Sequence, residues 1–265
     1  MRFVLLFLTL FPCIAAADAP VKRLTLRHDV LGFEAVGKVE IDGAGYCTGT
    51  LISPREVLTA AHCLYPDGGA ADPAKLRFRA GLRDGASIGE SVVARAVAHP
   101  RYHPDLTGMD RIRYDVAILE LSVPIPAAIA APFQVATLPA GQRDISVVSF
   151  ARGRDAALSW QRGCSVLGRQ AGLLAFDCDV TFGASGAPVF DQTSGRARIV
   201  SIISSGQNGR TGSVAFGMDL PRAVADLHEA LRIGQGVLGQ ASAPGARRIG
   251  AGSNTAGTGA RFVRP

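Results

Sequence analysis

Several features that would place this 265-residue chain in a common protein class are missing from its sequence. It has no Cys-x-x-Cys pair, which argues against a zinc site. No internal repeat of solenoid type is visible. After residue 14 no segment is apolar enough to cross a bilayer. Helical periodicity is also scarce and becomes clear only near the end of the chain. These absences leave a non-repetitive chain dominated by short β-type segments.

The first 17 residues have the pattern of a secretory signal peptide. Met1 and Arg2 precede an apolar run over 3–14, and three alanines follow before Asp18. The run is too short for a comfortable membrane span, although a retained N-terminal anchor is the alternative. We therefore expect a secreted or periplasmic protein with no stable membrane anchor after signal cleavage.

The C-terminal segment 234–265 is rich in Gly, Ala and Ser and contains no acidic residue. Such a segment buries little apolar surface, so it is predicted to be disordered. Segment 18–32 is a possible pro-segment, because Lys22, Arg23 and Arg27 offer cleavage points. Residues 18–233 suit one two-lobed domain or two small ones.

The net charge of +6 is concentrated at the ends of the chain. Five arginines lie in the expected signal peptide or in the C-terminal segment, and without them residues 18–233 carry only +1. A nearly neutral body argues against nucleic-acid binding. We expect no cofactor and no metal.

Four of the five cysteines remain once Cys13 leaves with the signal peptide. An even number in an exported chain predicts disulfide bonds. The sequence alone leaves three pairings open among Cys47, Cys63, Cys164 and Cys178.

Short β-rich segments recur between residues 36 and 220, separated by Gly, Pro or Asp, which is typical of a sandwich or of barrels. The predicted strands are 36–41, 49–52, 57–60, 91–98, 116–121, 146–150, 173–177, 187–190, 199–204 and 213–218. A helix is predicted where Pro221, Val224, Leu227 and Leu231 recur at helical spacing. The stretch 123–132 is predicted to connect two halves.

Amide hydrolysis requires a nucleophile, a base, an orienting acid and donors for an oxyanion. Ser185 lies among small residues in Gly-Ala-Ser-Gly-Ala-Pro over 183–188, so the backbone can turn sharply and a carbonyl can approach. The N–H groups of Gly183 and Ser185 are candidates for an oxyanion hole. Taken alone, the segment also fits an ordinary tight turn.

His62 and Asp115 are the candidate base and orienting acid. His62 ends an apolar strand directly before Cys63, and Asp115 opens a strand that otherwise looks buried. A buried carboxylate needs a partner, and a histidine N–H is a suitable one. The rival acid Asp110 lies close to Arg111 and Arg113 and fits a solvated ion pair.

The four other histidines are interpreted as core or surface residues, and a metal site at the His99 and His103 pair is disfavoured because they lie in a Pro-bounded loop. The remaining two are His28 and His228.

Three blocks together resemble the trypsin-like, or chymotrypsin-like, serine peptidases. Residues 47–52 with 57–63 are similar to the family's histidine segment, 115–121 to its aspartate segment and 183–190 to its serine loop. They follow the family order of His, Asp and Ser, with separations of 53 and 70 residues. The resemblance covers roughly residues 33–232, and with it we expect a monomer that acts on polypeptide substrates.

This resemblance implies an all-β fold of two six-stranded antiparallel β-barrels, 33–125 and 126–233, with a C-terminal helix and the site between the barrels. It also implies the pairing Cys47–Cys63, which leaves Cys164–Cys178 by exclusion. Ala184 stands where the family usually has an aspartate that pairs with a new N-terminus. The chain is therefore similar to the bacterial branch that includes the glutamyl endopeptidases, and activity is not expected to need that ion pair.

The resemblance also indicates which residues line the primary substrate pocket. These residues are Asp179, Val180 and Thr181, then Ile203, Ser204, Ser205 and Gly206. Asp179 matches the position that gives trypsin-like enzymes their preference for Arg or Lys, so cleavage after basic residues is expected first and after small or medium apolar residues next. Ile203 stands where glutamyl endopeptidases carry a histidine, which argues against cleavage after Glu. The usual cysteine of this segment is replaced by Thr181, so Asp179 has a structural role as its alternative.

Two other functions compete with a serine endopeptidase. An α/β-hydrolase would need a helix after Ser185 and Gly at position 187, where the chain has Ala and a predicted strand. The second is a non-catalytic binding protein on a serine-peptidase fold, but no residue of the proposed triad is missing.

Overall fold

A computed structural model of the protein describes residues 21–193, 195–209 and 212–239. The expected signal peptide, 1–17, lies outside the described residues, as does most of the C-terminal segment. The first described element is the short strand β1 (Lys22–Arg23), followed by a 3₁₀ turn at Arg27–Val30.

The first barrel is a closed antiparallel sheet. Its strands are β2 (Val36–Ile41), β3 (Gly45–Leu51), β4 (Glu56–Thr59), β5 (Leu76–Ala80), β6 (Gly89–Ala98) and β7 (Ala117–Leu121). They pair in the order β6-β5-β2-β3-β4-β7, and a further pairing of β6 with β7 closes the barrel. Closure leaves no free strand edge within these six strands. Two 3₁₀ turns, Ala61–Leu64 and Pro73–Lys75, connect β4 to β5.

The second sheet is antiparallel and forms a half-barrel. Its strands are β8 (Asp144–Ser149), β9 (Ser159–Gln170), β10 (Leu173–Phe176), β11 (Pro188–Asp191), β12 (Arg198–Ile202), β13 (Ser205–Gly209) and β14 (Gly212–Met218). The order is β12-β11-β8-β9-β10-β14-β13. With β1, which pairs with β9, the sheet has eight strands, and only Ile203 and Ser204 separate β12 from β13 at the two ends of this order. The predicted pair of antiparallel barrels is confirmed.

Two α-helices complete the described part of the chain, α1 (Gly108–Arg113) and α2 (Leu220–Ile233). The predicted C-terminal helix is α2, with Pro221 in its first turn and Gly234 in the left-handed conformation (φ 75°) at its end. Its apolar face, Val224, Leu227 and Leu231, is buried against strands of both sheets. Neither described helix is both long and apolar enough to span a membrane.

The two ends of the described chain are integrated into the fold, which corrects part of the sequence-based prediction. β1 pairs with β9, and Leu24 and Val30 are buried at 1% and 3% exposure. After α2, the strand β15 (Val237–Leu238) pairs with β6 of the first barrel. The prediction of disorder from residue 234 is therefore wrong for 234–239, because this short stretch finds backbone partners on β6.

An apolar core joins the two barrels. Phe133 packs against Phe190 with ring centroids 4.6 Å apart, and Phe33 packs edge-on against Trp160 at 4.8 Å. These aromatic side chains belong to a cluster that continues into the first barrel, while a second cluster fills the second barrel. Burial of large aromatic surface in this contact fixes the barrels relative to each other and so sets the cleft between them.

Candidate active site

Strand pairing in the first barrel brings His62 and Asp115 together. β4 and β7 are antiparallel neighbours, with Thr59 opposite Ala117. The end of β4 therefore meets the start of β7, and the residues just beyond this pair share one edge of the sheet. His62 lies three residues after Thr59, and Asp115 two residues before Ala117. A spacing of 53 residues in sequence thus becomes a contact of 2.8 Å between His62 Nδ1 and Asp115 Oδ2.

Asp115 is buried at 1% exposure and is surrounded by hydrogen-bond donors. The backbone N–H of His62 donates to Oδ1 at 2.8 Å, and the Ser204 hydroxyl donates to Oδ2 at 2.6 Å, the oxygen that also faces the imidazole. A buried carboxylate is tolerable only with such compensation. The Asp115 carboxylate therefore fixes the orientation of the His62 ring and directs the Nδ1 hydrogen toward Oδ2.

Tyr102 adds a neutral neighbour to this pair. Burial, reinforced by the negative charge of Asp115, raises the pKa of Tyr102 to about 12. Its ring packs against Tyr65 at 5.8 Å. The phenol stays protonated at any physiological pH, so it contributes no second negative charge near Asp115.

Ser185 reaches the same cleft from the second barrel by an equivalent arrangement. β11 and β12 are antiparallel, with Pro188 opposite Ile202, and Ser185 and Ser204 lie just beyond that pair. The backbone N–H of Thr48 on β3 donates to the Ser185 carbonyl at 2.8 Å, which joins the two barrels at this point. Ser185 and His62 together line a cleft of about 510 Å³ and an adjoining pocket of about 420 Å³.

The loop before Ser185 presents two free backbone donors. Within the described part of the chain, the N–H groups of Gly183 and Ser185 have no intramolecular acceptor. Gly183 has φ +93°, and a Cβ there would overlap the ring of Tyr46, so only glycine fits. Free, adjacent N–H groups beside a serine have the chemistry that an oxyanion hole requires.

The predicted pocket residues separate into those that line the pocket and one that does not. Lining residues include Val180, Thr181, Ile203, Ser204, Ser205 and Gly206. Asp179 is exposed and is not among them, and its backbone N–H is held by Gln161 Oε1 at 2.8 Å. Asp179 is therefore not part of this pocket lining, and its hydrogen bond to Gln161 is made by its backbone and not by its carboxylate. The neighbouring Cys178 is joined to Cys164 by a disulfide bond.

Arg111 is a lining residue that sequence reasoning did not assign to the site. It lies on α1 and lines both the cleft and the pocket. It forms no ion pair with any described residue, whereas Arg113 on the same helix pairs with Asp110 at 2.6 Å. The residues that line the pocket include no carboxylate, and Arg111 is the one arginine or lysine among them. A six-residue helix without buried side chains gives no hydrophobic pattern from which this position could have been predicted.

Both expected disulfides are present, Cys47–Cys63 and Cys164–Cys178. The first joins β3 to the turn that carries His62, and the second joins β9 to the segment after β10. Two clusters of possible metal ligands among the described residues, Cys47 with His62 and Cys63, and Cys164 with Asp177 and Cys178, consist largely of these bonded sulfurs. Sulfur in a disulfide is not a thiolate, so neither cluster has the donors of a thiolate metal site.

The other histidines lie away from the cleft. His99 is buried, lies 3.4 Å from Asp226 and stacks on Tyr114. Burial lowers its pKa, and the Asp226 carboxylate opposes this only in part. His103 and His28 are exposed, and His228 on α2 lies 3.5 Å from Glu56. These positions fit the interpretation of core and surface residues.

Comparison with curated proteins gives partial matches. A trypsin of Phaedon cochleariae is 40% identical over 81 residues, which are 30% of this chain and 29% of that protein. A glutamyl endopeptidase of Bacillus licheniformis is 27% identical over 154 residues, 57% of this chain and 47% of that protein. The chain spans less than half the length of each of these relatives.

Solved structures match over more of the chain. A Glu endopeptidase in complex with MPD has a TM-score of 0.65 at 18% identity, covering 82% of this chain and 98% of that one. The protease Anisep from Arthrobacter nicotinovorans has a TM-score of 0.60 at 19% identity, covering 74% and 94%. At this identity the likeness shows the fold, which is that of the chymotrypsin-like peptidases.

A family model for the trypsin-like peptidase domain matches residues 47–198. This span is more than half of the chain and includes His62, Asp115 and Ser185. The chain therefore belongs to the family of proteins with a trypsin-like peptidase domain.

Proposed function

We propose that the chain is an exported serine endopeptidase with Ser185 as nucleophile, His62 as general base and Asp115 as the orienting acid. The observation that carries this proposal is the 2.8 Å contact between His62 Nδ1 and Asp115 Oδ2, with Ser185 lining the same cleft. Family membership, and the names of the relatives, agree with proteolysis.

The reaction follows from these positions. Ser185 Oγ attacks the carbonyl carbon of the scissile peptide while His62 Nε2 takes its proton. The carbonyl oxygen becomes an oxyanion that accepts from the N–H groups of Gly183 and Ser185. Collapse of this intermediate breaks the C–N bond, and His62 returns the proton to the leaving amine. Water, deprotonated by His62, then hydrolyses the acyl-Ser185 ester. Asp115 stabilises the imidazolium formed in both halves without taking its proton.

The test of this proposal is covalent labelling by diisopropyl fluorophosphate together with hydrolysis of casein. We expect wild type to be labelled once, at Ser185, and Ser185→Ala to lose several orders of magnitude of activity with its thermal unfolding unchanged. Ser87→Ala, at a partly exposed serine that donates to Glu90 in the first barrel, is the control and should behave as wild type. Purified Ser185→Ala with wild-type activity would refute the proposal. An unlabelled, inactive but folded wild type would instead favour the non-catalytic binding protein.

Export is the second part of the proposal. Two disulfide bonds support an oxidising compartment, since disulfides persist in secreted and periplasmic proteins. Mass spectrometry of the protein recovered from periplasm and culture medium should show an N-terminus at Asp18. Recovery only from the cytoplasm with Met1 retained would contradict it.

The charge of the pocket favours acidic or neutral substrate side chains over basic ones. Arg111 is unpaired within the described residues and lines the pocket, which has apolar walls at Val180 and Ile203 and no carboxylate. A lysine or arginine would meet a cation there, whereas a carboxylate would gain a charge-assisted hydrogen bond. This replaces the preference for basic residues that Asp179 indicated. Cleavage after Glu, which the sequence argued against, therefore becomes a candidate again, with Arg111 in place of a histidine.

Matched peptides with Glu, Gln, Leu and Arg before the scissile bond test this assignment. Arg111→Gln should reduce kcat/KM for the Glu peptide about tenfold and leave the Leu peptide within about twofold. Arg113→Gln, on the same helix but paired with Asp110, is the control and should change neither. Preference for the Arg peptide in wild type would show that the pocket charge has been misjudged.

A further inference from the structure

The serine loop is held in place by a buried hydroxyl of the opposite barrel. Thr48 on β3 is fully buried, and its Oγ1 donates to the Gly183 carbonyl at 2.8 Å, across 135 residues of sequence. The same Oγ1 accepts from the backbone N–H of Phe150 at 3.0 Å. One hydroxyl therefore links β3, the segment after β8 and the loop that carries Ser185.

Both peptide groups next to Gly183 are fixed through their carbonyl oxygens. The Phe182 carbonyl accepts from the Arg152 N–H at 2.7 Å, and the Gly183 carbonyl accepts from Thr48 Oγ1. In a planar trans peptide the N–H points opposite to the C=O, so holding the Phe182 oxygen directs the Gly183 N–H the other way. Phe150 and Arg152 lie on one segment, and the Phe150 N–H donates to Thr48 Oγ1. The Thr48 hydroxyl therefore holds the Gly183 carbonyl directly and also supports the segment whose Arg152 N–H holds the Phe182 carbonyl.

The side chain at position 184 does not hold this loop by an ion pair. Ala184 is buried at 1% exposure and has no group that could form an ion pair. The backbone N–H and carbonyl of Thr48 also form hydrogen bonds, one to the serine loop and one to β4. Its N–H donates to the Ser185 carbonyl at 2.8 Å, and its carbonyl accepts from Thr59 Oγ1 at 2.8 Å.

We propose that Thr48 is a positioning residue for catalysis, whose hydroxyl holds the oxyanion-binding loop in its active conformation in place of a charged anchor. This inference rests on the proposed function of Ser185. It assigns to a neutral hydrogen bond from the first barrel the task of holding the Gly183–Ala184 peptide. Through Phe150, the same hydroxyl also supports the segment whose Arg152 N–H holds the Phe182 carbonyl and so directs the Gly183 N–H. Thr48 itself does not line the cleft or the adjoining pocket.

The experiment compares Thr48→Val with Thr50→Val. Thr50 lies on the same face of β3 and is equally buried, and its hydroxyl has no hydrogen-bond partner among the described residues, so its replacement removes none of the bonds seen there. We expect Thr48→Val to lower the second-order rate of labelling by diisopropyl fluorophosphate by roughly tenfold, and by less than about 100-fold. This is less than the roughly 10²–10³-fold lost when an oxyanion donor itself is removed. Thr50→Val should label within about twofold of wild type.

Three further readouts separate positioning from a general structural defect. With a peptide substrate selected on wild type, Thr48→Val should lower kcat while KM changes by less than about threefold, because the missing interaction belongs to the transition state. The pH at half-maximal activity should not move, because the contact between His62 and Asp115 is untouched. Thr48→Ser, which keeps the hydroxyl, should recover activity to within about threefold of wild type.

Labelling of Thr48→Val at the rate of Thr50→Val would overturn the inference, as would a loss that appears in KM alone. If Thr48→Val does not fold, Thr48→Ala removes the hydroxyl without placing a methyl group against the two backbone partners, and wild-type labelling of that variant would overturn it equally. Failure of the underlying function gives a different result, since wild type itself would then remain unlabelled.

Discussion

The two barrels hold their catalytic side chains by different means. In the first barrel, His62 and Asp115 extend from neighbouring strands of a closed sheet, so the ladder between β4 and β7 sets their separation. In the second, Ser185 lies on a loop beside the interruption between β12 and β13, and the sheet does not close there. The loop is instead held by bonds from β3, the Thr48 hydroxyl among them. Backbone pairing thus positions the acid and base, while tertiary hydrogen bonds position the nucleophile.

The largest expected effect concerns the pair held by the closed sheet. Asp115→Asn should lower kcat on the order of 10⁴-fold, because an amide in place of the carboxylate disturbs the tautomer and orientation of His62. Ser204→Ala removes only one of the donors to Asp115 and should cost less than about 100-fold. Steady-state kinetics at neutral pH, with unfolding curves for both variants, checks this. Equal losses would mean that the Ser204 bridge between the barrels matters as much as the carboxylate.

The second prediction concerns β1 and the turn after it. β1 pairs with β9 of the second barrel, and the buried side chains of this segment belong to the apolar core that joins the two barrels. A protein that starts at Leu31 lacks Leu24 and Val30, whose burial contributes about 1.5 to 3 kcal/mol each. Against a protein that starts at Val21, it should lose roughly 3 to 6 kcal/mol in urea unfolding. Burial of Leu24 and Val30 indicates that this part of the possible pro-segment contributes to the stability of the fold.

Matched leucine variants separate packing from chain length in that comparison. Leu24→Ala should be destabilised by about 2 to 5 kcal/mol, whereas Leu26→Ala, at a side chain that is 53% exposed, should be close to wild type. Similar stability of the two variants would show that the segment is not part of the cooperative fold.

Much of the fold was predictable because its strands carry local patterns. β4, β7 and β11 were found from short β-rich runs, and α2 from its helical spacing. β9 was missed because its apolar residues are interrupted by Gly and Arg and its far end is exposed. β5 was missed although Leu76, Phe78 and Ala80 alternate with two arginines, so a signal was present there.

The site was predictable only where a residue's own neighbours in sequence carried the signal. His62, Asp115 and Ser185 were proposed from the blocks around them. Thr48 acts on a carbonyl 135 residues away, and no local pattern encodes such a contact. Asp179 was placed by a count from Ser185, but the bond of its N–H to Gln161 shows that tertiary contacts decide which side chains face the pocket.

The third prediction compares the disulfides of the two barrels. They span 16 and 14 residues, so the chain-entropy model gives each about 3 kcal/mol. Replacing Cys164 and Cys178 by serine should lower stability by that amount and mainly disturb the second barrel. The same change at Cys47 and Cys63 should also reduce kcat, because Cys63 directly follows His62. Urea unfolding and kinetics at a temperature where both variants are folded test this. Equal activity of the two double variants would contradict the expected loss of kcat on replacement of Cys47 and Cys63.

The smallest expected effect is the acid sensitivity of the second barrel. Asp191 on β11 is fully buried and accepts from Thr193 N, from Thr193 Oγ1 and from Arg198 at 3.0, 2.6 and 3.1 Å. Burial by itself would raise the pKa of this carboxyl, but the bonds from Thr193 and the charge of Arg198 outweigh it and lower the pKa. A carboxyl with a lower pKa in the folded state stabilises the fold above its unfolded pKa, and this contribution is lost as the pH falls through the folded pKa.

Asp191→Asn should therefore be about 1 to 2 kcal/mol less stable than wild type at pH 7, and the difference should shrink as the pH falls below the ordinary carboxyl value of about 4. Asp155→Asn, at an aspartate with a half-exposed side chain that lies 3.8 Å from Lys38, is the control and should differ little from wild type at either pH. Urea unfolding of the three proteins at pH 7 and pH 3 measures both differences. A gap between wild type and Asp191→Asn that stays constant or widens toward pH 3 would show that the ionised form is not what stabilises β11. In that case the second barrel would depend on the packing of the strand and not on its charge network.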